Sequence, residues 1–323
     1  MAETKRLGRA ERPVGPLGAY NGGMAEDIDI PGIVTDEHLA RALRGEDALV
    51  FDGAMGTQLM ARGFARDDAP FELLNLTHPA AVTAIHAAYV AAGADVATTN
   101  TFGANRRALE GRASVGDVYR AAVSCAREAG ARYVAGDIGP LGALFDPAGP
   151  LAYEEAYDLF AEQVDAVRVA GCDLVLVETM LDLGEAQAAL RAARERCDLP
   201  VLVTMTLAAD GRTYLGTPPE MAAVALASLG AHAVGFNCSF GPDLMACAVR
   251  AAARRVACPL LVQPNAGLPR EGADGLVYEL GPDAFARAME PLVAAGATMV
   301  GGCCGTGPAH IERLSALAVG KTS

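Results

Sequence analysis

Ala170-Gly171-Cys172-Asp173-Leu174-Val175 carries a device that recurs along the chain: a helical pattern closes on glycine, one to three residues follow, and an apolar run begins. The device returns in Ala92-Gly93-Ala94-Asp95-Val96, Ala129-Gly130-Ala131-Arg132-Tyr133-Val134, Leu229-Gly230-Ala231-His232-Ala233-Val234 and Ala295-Gly296-Ala297-Thr298-Met299-Val300. Glycine after a helix takes the left-handed conformation that turns the chain back toward a sheet. Two more strands are expected to start on proline, Pro200-Val201-Leu202-Val203 and Pro259-Leu260-Leu261-Val262, where a missing N–H is tolerated. Upstream, Ala48-Leu49-Val50-Phe51 ends on Asp52-Gly53 and reads as a first buried strand.

These make eight strand candidates. Segments with helical period lie between them, including Ala156, Phe160, Val164 and Val167, and Val82, Ile85 and Tyr89 after an expected Thr77 cap. A short helical stretch is expected from Thr35. Eight strands alternating with helices over residues 35–323 predict an α/β fold, a single-domain (β/α)8 TIM barrel. An open doubly wound sheet is the competing architecture, but Asp52-Gly53-Ala54-Met55-Gly56-Thr57 matches its glycine-rich turn only in part. Residues 1–34, rich in Gly, Pro and charge and without apolar period, read as a flexible extension in which Met24 offers a second start.

Composition narrows the function classes. The 323 residues are 52% hydrophobic and 20% charged, yet no apolar stretch approaches the ~18 residues of a bilayer span. A net charge of −13 repels phosphate backbones and anionic lipid, which excludes nucleic acid and membrane as expected partners. Eight cysteines without a leader-like N-terminus point to a reducing, cytoplasmic setting.

In a barrel of this kind the chemistry is built at the C-terminal ends of the strands. Those positions are polar here: Asp52, Asn100, Thr101, Asp137, Glu178, Thr179, Thr204, Thr206, Asn237, Cys238, Gln263, Asn265, Cys303 and Cys304. Cys238, Cys303 and Cys304 end the sixth and eighth strand candidates, which share one rim. Three thiolates can hold zinc and leave a fourth position open for catalysis, although the usual two-residue ligand spacing is absent and a buried cysteine also serves as a small hydrophobe. Cys125, Cys172, Cys197, Cys247 and Cys258 read as ordinary core or surface thiols, and the five histidines as structural. Asp52, Glu178 and Asn265 suit the ammonium and carboxylate ends of an amino acid. Gly301-Gly302-Cys303-Cys304-Gly305-Thr306-Gly307 occupies the place where many barrels bind phosphate, which keeps a phosphate-ligand enzyme open.

Six motifs in order then resemble the homocysteine-binding domain of the homocysteine S-methyltransferases: Asp52-Gly53-Ala54-Met55-Gly56-Thr57, Thr99-Asn100-Thr101-Phe102-Gly103-Ala104-Asn105, Val177-Glu178-Thr179, Gly235-Phe236-Asn237-Cys238, Pro264-Asn265-Ala266-Gly267-Leu268-Pro269 and Gly301-Gly302-Cys303-Cys304-Gly305-Thr306. The resemblance runs from about Leu49 to Leu314. It implies Zn2+ on Cys238, Cys303 and Cys304, homocysteine as substrate and methionine as product. It also implies that Asp52 and Glu178 receive the substrate ammonium, that Gly53, Thr101 and Asn265 bind its carboxylate end, and that Asn100 belongs to the same substrate site. The Pro264–Pro269 stretch is most similar to cobalamin-dependent methionine synthases. This sequence has no Asp-x-His-x-x-Gly corrinoid-ligand signature, so methylcobalamin as donor implies a separate corrinoid protein docking at the rim. S-methylmethionine or betaine are the small-donor alternatives, and a non-catalytic zinc or thiol-binding subunit is the alternative from another class.

Overall fold

The structure is a computed structural model, and it describes Gly32 and residues 34–65, 69–272 and 275–319. The extension expected over residues 1–34 lies outside the described residues except for Gly32 and Val34. Eight parallel strands form the ring: β1 (Leu49–Val50), β2 (Val96–Thr98), β3 (Tyr133–Ile138), β4 (Leu174–Met180), β5 (Val201–Met205), β6 (Ala233–Cys238), β7 (Leu260–Pro264) and, after an antiparallel hairpin of β8 (Pro269–Gly272) and β9 (Gly275–Tyr278), β10 (Ala297–Val300). Their order is β1-β10-β7-β6-β5-β4-β3-β2. Phe51 bridges Val96 in parallel, and the Asp95 N–H donates to the Val50 carbonyl, which brings the two ends of the sheet together. This is the expected (β/α)8 barrel.

Along the chain the helices are α1 (Glu37–Leu43), α2 (Gly56–Met60), α3 (Leu74–Thr77), α4 (Pro79–Ala91), α5 (Arg106–Leu109), α6 (Val115–Glu128), α7 (Tyr153–Ala170), α8 (Leu183–Arg196), α9 (Pro219–Ser228), α10 (Pro242–Ala253), α11 (Pro282–Ala294) and α12 (Pro308–Val319). The glycines of the repeated device take left-handed angles, φ 82° at Gly171 and 92° at Gly230, and each releases the chain into the next strand. Pro200 and Pro259 sit one residue before β5 and β7, where their carbonyls accept from Val175 and Val234. The expected Thr77 cap is corrected. Thr77 closes α3, its hydroxyl donates back to the Leu73 carbonyl, and Pro79 opens α4 at a position where an N–H would have no partner.

The strand period of two divides the core. Leu49, Phe51, Val96, Tyr133, Ala135, Leu174, Leu176, Leu202, Leu261 and Met299 pack inside the ring together with Leu39 and Leu43 of α1, so this first helix stoppers the N-terminal end of the barrel. Asp36 caps α1 by accepting from the Leu39 N–H. The intervening residues, such as Val134, Val175, Val203 and Val262, face the surrounding helices.

One buried acid away from the strand ends ties the upper loops. Glu185, 5% exposed near the start of α8, accepts from the Leu141 N–H at 2.7 Å in the loop after β3. Burial pushes its carboxyl up to about 7 from an ordinary 4.5. The stability gained from the protonated form is therefore full below about pH 4.5 and is lost as pH rises through about 7. Glu185→Gln keeps the acceptor and removes the charge. The variant is expected to match the wild type near pH 4.5 and to exceed it by about 3 kcal/mol above about pH 8, at roughly 1.36 kcal/mol per pH unit. Denaturant unfolding at the two pH values checks this, and a difference that does not change with pH removes the account.

Candidate functional site

The carboxyl ends of the strands meet at the unstoppered end of the barrel. Strand β7 lies between β6 and β10, and Pro264 at its end joins the two. On one side Pro264 is in register with Cys238, and on the other its carbonyl accepts from the Cys303 N–H at 2.9 Å. Residues 65 positions apart in the chain thus arrive on either flank of one residue, and Cys304 follows directly. Cys238 and Ser239 hold φ of 57° and 59°, so the backbone leaves the strand alternation where the first sulfur is presented.

The three sulfurs all lie within 4.8 Å of one another, and Cys303 and Cys304 are 4.0 Å apart. Sulfurs placed 2.3 Å from a common tetrahedral centre would be about 3.8 Å apart, so small side-chain adjustments suffice for one zinc ion. The chemistry of the donor set fits as well. Hydrogen bonds that the Cys303 thiol donates to Cys238 and Cys304, together with burial, push it well above its usual range, because neighbouring sulfurs cannot all ionise without a cation among them. The Tyr278 ring packs on Gly305, where a Cβ would come within 2.1 Å of it, and its hydroxyl hydrogen-bonds to Cys304. Gly302 is equally filled, by Thr306, so the glycine-rich 301–307 stretch accommodates side chains around the cysteine pair.

Beside the sulfurs stand the acids. Asp52, 2% exposed, accepts from the Thr98 N–H at 2.9 Å, and its Oδ2 is 3.9 Å from His86 Nδ1. Burial pushes Asp52 up to about 7 and holds the His86 imidazole down to about 4, so this histidine is neutral. Glu178 continues the inward face of Leu174 and Leu176 on β4. Burial raises it to about 8, with the charges of Asp52 and Cys304 adding to the effect. Its Oε2 accepts from Asn237 Nδ2 at 2.8 Å.

Asn237 is the hub of this wall. Its amide also donates to Thr179 Oγ1, and its Oδ1 accepts from Thr204 Oγ1 and from the Thr179 N–H. That last bond pins Thr179 at φ 60°, an uncommon angle for a β-branched residue. Asn265 is buried with its Oδ1 unpartnered, and Gln263 Oε1 and Thr98 Oγ1 are likewise buried and unpartnered. The remaining expected residues serve the neighbouring loops. Gly53 has no room for a Cβ against Thr306 and Tyr89, and the Thr101 hydroxyl donates to the Asp137 carbonyl. The Asn100 amide donates to the Phe71 carbonyl and to Asn75 Oδ1. Sequence reasoning placed Asn237 and Asp137 at strand ends without a role and had no signal for Tyr278. The cavity at the opposite end of the barrel, among Ala48, Val293, Thr298, Leu314 and Leu317, contains none of these groups.

With this geometry in place, residues 49–318 match the profile described as homocysteine S-methyltransferase. The chain belongs to this family. Among curated relatives, the homocysteine S-methyltransferase barrel described here is 38% identical over 291 residues to methionine synthase of Mycobacterium tuberculosis and 37% identical to that of Mycobacterium leprae. Each alignment covers 83% of this chain but 24% of the relative, so the chain spans about a quarter of the length of the curated relatives it matches. Among solved structures, the metallated homocysteine methyltransferase MmuM of Escherichia coli superimposes with a TM-score of 0.74 at 27% identity, covering 86% of this chain and 99% of that one. Among the described residues no helix is long and apolar enough to cross a membrane.

Proposed function

We propose that the protein methylates the thiol of homocysteine to give methionine, with the thiol activated on zinc held by Cys238, Cys303 and Cys304. One observation carries the reading: three sulfurs within 4.8 Å of one another stand at the mouth of the barrel beside two buried acids, Asp52 and Glu178. Bound zinc would supply a thiolate at neutral pH, where a free thiol of pKa ~8.5 is mostly protonated. Cys238, Cys303 and Cys304 would hold the ion as three thiolates whose charge outweighs its own, which would keep the activated substrate sulfur electron-rich and nucleophilic. The methylated product would be a neutral thioether, which gives the site no anionic sulfur to retain.

The chain's own residues bind and orient. Asp52 and Glu178 receive the substrate ammonium, and Asn237 fixes the Glu178 rotamer. Gly53, Thr101 and Asn265 form the carboxylate end, where the Asn265 side-chain N–H is the group that donates to a carboxylate oxygen. Asn100 holds the wall of this subsite against Phe71 and Asn75. A cytoplasmic setting, which keeps the thiols reduced, goes with this assignment.

The donor reading is a methylcorrinoid presented by a separate protein, supported by the identity to methionine synthases. A small donor such as S-methylmethionine or betaine is the second reading, favoured by the match to 99% of a homocysteine methyltransferase chain. Metal analysis followed by incubation with homocysteine and each donor, including free and protein-bound methylcobalamin, tests both. Stoichiometric zinc and methionine formation with one donor are expected. Zinc and thiol binding without turnover on any donor would identify a non-catalytic subunit, and an active protein indifferent to chelators would remove the reading.

A further inference from the structure

One inward carboxyl has no part in the assignment above. Asp137 follows Tyr133 and Ala135 on the inner face of β3, is 3% exposed, and its Oδ1 is buried with no hydrogen-bond partner. Its backbone cannot swing it outward. The Asp137 N–H donates to Thr99 Oγ1 at 3.0 Å, and its carbonyl accepts from Thr101 Oγ1 at 2.8 Å and from the Tyr119 hydroxyl at 2.7 Å.

Asp137 and Glu178 lie near one another at the inner ends of the paired strands β3 and β4, and each buried carboxyl feels the other. The charged groups around Asp137 are Glu178 from β4, Glu72 from the turn before α3, and Asp52 after β1, all acidic, while α6 contributes the Tyr119 hydroxyl. Among the described residues, no arginine or lysine is among the main influences on either carboxyl. A buried, acidic wall on the inner face of β3, with one carboxyl oxygen lacking a donor, is complementary to a cation that donates several hydrogen bonds. A primary ammonium group has that form.

We infer that Asp137 is a further substrate-positioning residue, pairing with Glu178 as a two-carboxyl clamp on the ammonium group of an amino-acid thiol and so selecting such thiols over their desamino analogues. The inference rests on the reading of this pocket as the homocysteine site. As the ammonium enters, it offers hydrogen bonds to both carboxyls, and Oδ1 gains the donor it lacks in the free protein.

The test uses the zinc-loaded full chain and measures equilibrium binding of homocysteine and of 4-mercaptobutanoate, which lacks only the amino group. Asp137→Ala is expected to weaken homocysteine about 10- to 100-fold, as for loss of one buried charge-assisted hydrogen bond, and to change 4-mercaptobutanoate by no more than about twofold. Asp137→Asn, which keeps the acceptor without the charge, should fall between and covers the case in which the alanine variant does not fold. Equal weakening of both thiols, or no change in either, overturns the clamp and leaves the homocysteine reading intact. A wild type that binds neither thiol overturns that reading itself.

Discussion

Cys304→Ser should abolish methyl transfer to homocysteine and loosen zinc at least a hundredfold. The reasoning starts from the sulfur triangle. Each of the three thiolates is expected to carry roughly a quarter to a third of a zinc-binding free energy of ~10–16 kcal/mol, so losing one removes about 3 kcal/mol or more. A serine hydroxyl does not replace it, because it stays protonated at neutral pH and is a harder donor than sulfur. Activity should fall by about three orders of magnitude or more, since the substrate thiol then reverts to its protonated form. Zinc content after dialysis, far-UV circular dichroism and turnover on homocysteine separate loss of metal from loss of fold. A folded Cys304→Ser protein with full zinc and full turnover would show that the triangle is incidental.

Gly235→Ala should be the most disruptive single-methyl change in the barrel. Gly235 sits in β6 opposite Leu261 of β7, and a Cβ there would stand 1.8 Å from the Leu261 carbonyl oxygen and 2.7 Å from its carbon. Both are backbone atoms of a hydrogen-bonded neighbour, so no side-chain rotation relieves the clash and the two strands must part. Overpacking typically costs 1–3 kcal/mol, and a backbone collision lies at or above the top of that range, so a loss of about 3 kcal/mol or more is expected from a total of ~5–15 kcal/mol. Cys238 lies three residues further along the same strand. Zinc affinity should therefore drop together with stability, whereas Glu185→Gln should leave it untouched. Thermal unfolding of the zinc-loaded variant decides the matter, and a midpoint within a degree or two of the wild type would refute the packing argument.

The eight strands could be read in the sequence because each is announced locally, seven by a glycine that ends a helix or a proline that precedes an apolar run, and the first by the Asp52-Gly53 that ends it. The cysteine triangle was legible for a related reason. In a closed ring, the ends of the sixth and eighth strands must flank the seventh, and Pro264 is the residue through which they do so. What stayed hidden depends on contacts between elements. Nothing in Pro269–Gly272 or Gly275–Tyr278 has the alternation of a strand, so neither the hairpin nor the phenol it lays beside Cys304 could be foreseen. The Asn237 hub is hidden likewise, because its four hydrogen bonds go to Glu178 and Thr179 of β4 and Thr204 of β5. Asp137 stands between these cases. The alternation Tyr133, Ala135, Asp137 already faces it inward, but only the empty surroundings of Oδ1 reveal that it lacks a partner.

The stopper formed by Leu39 and Leu43 has a kinetic corollary. A vessel sealed at its base has a single doorway, and both reactants of a transfer must use it. With a bulky methyl carrier as donor, the thiol would have to be in place before the carrier covers the entrance, and the thioether would depart only once the carrier has withdrawn. A compulsory order of arrival and departure is thus the expected signature of a bulky donor at this barrel, and a small donor would not impose it.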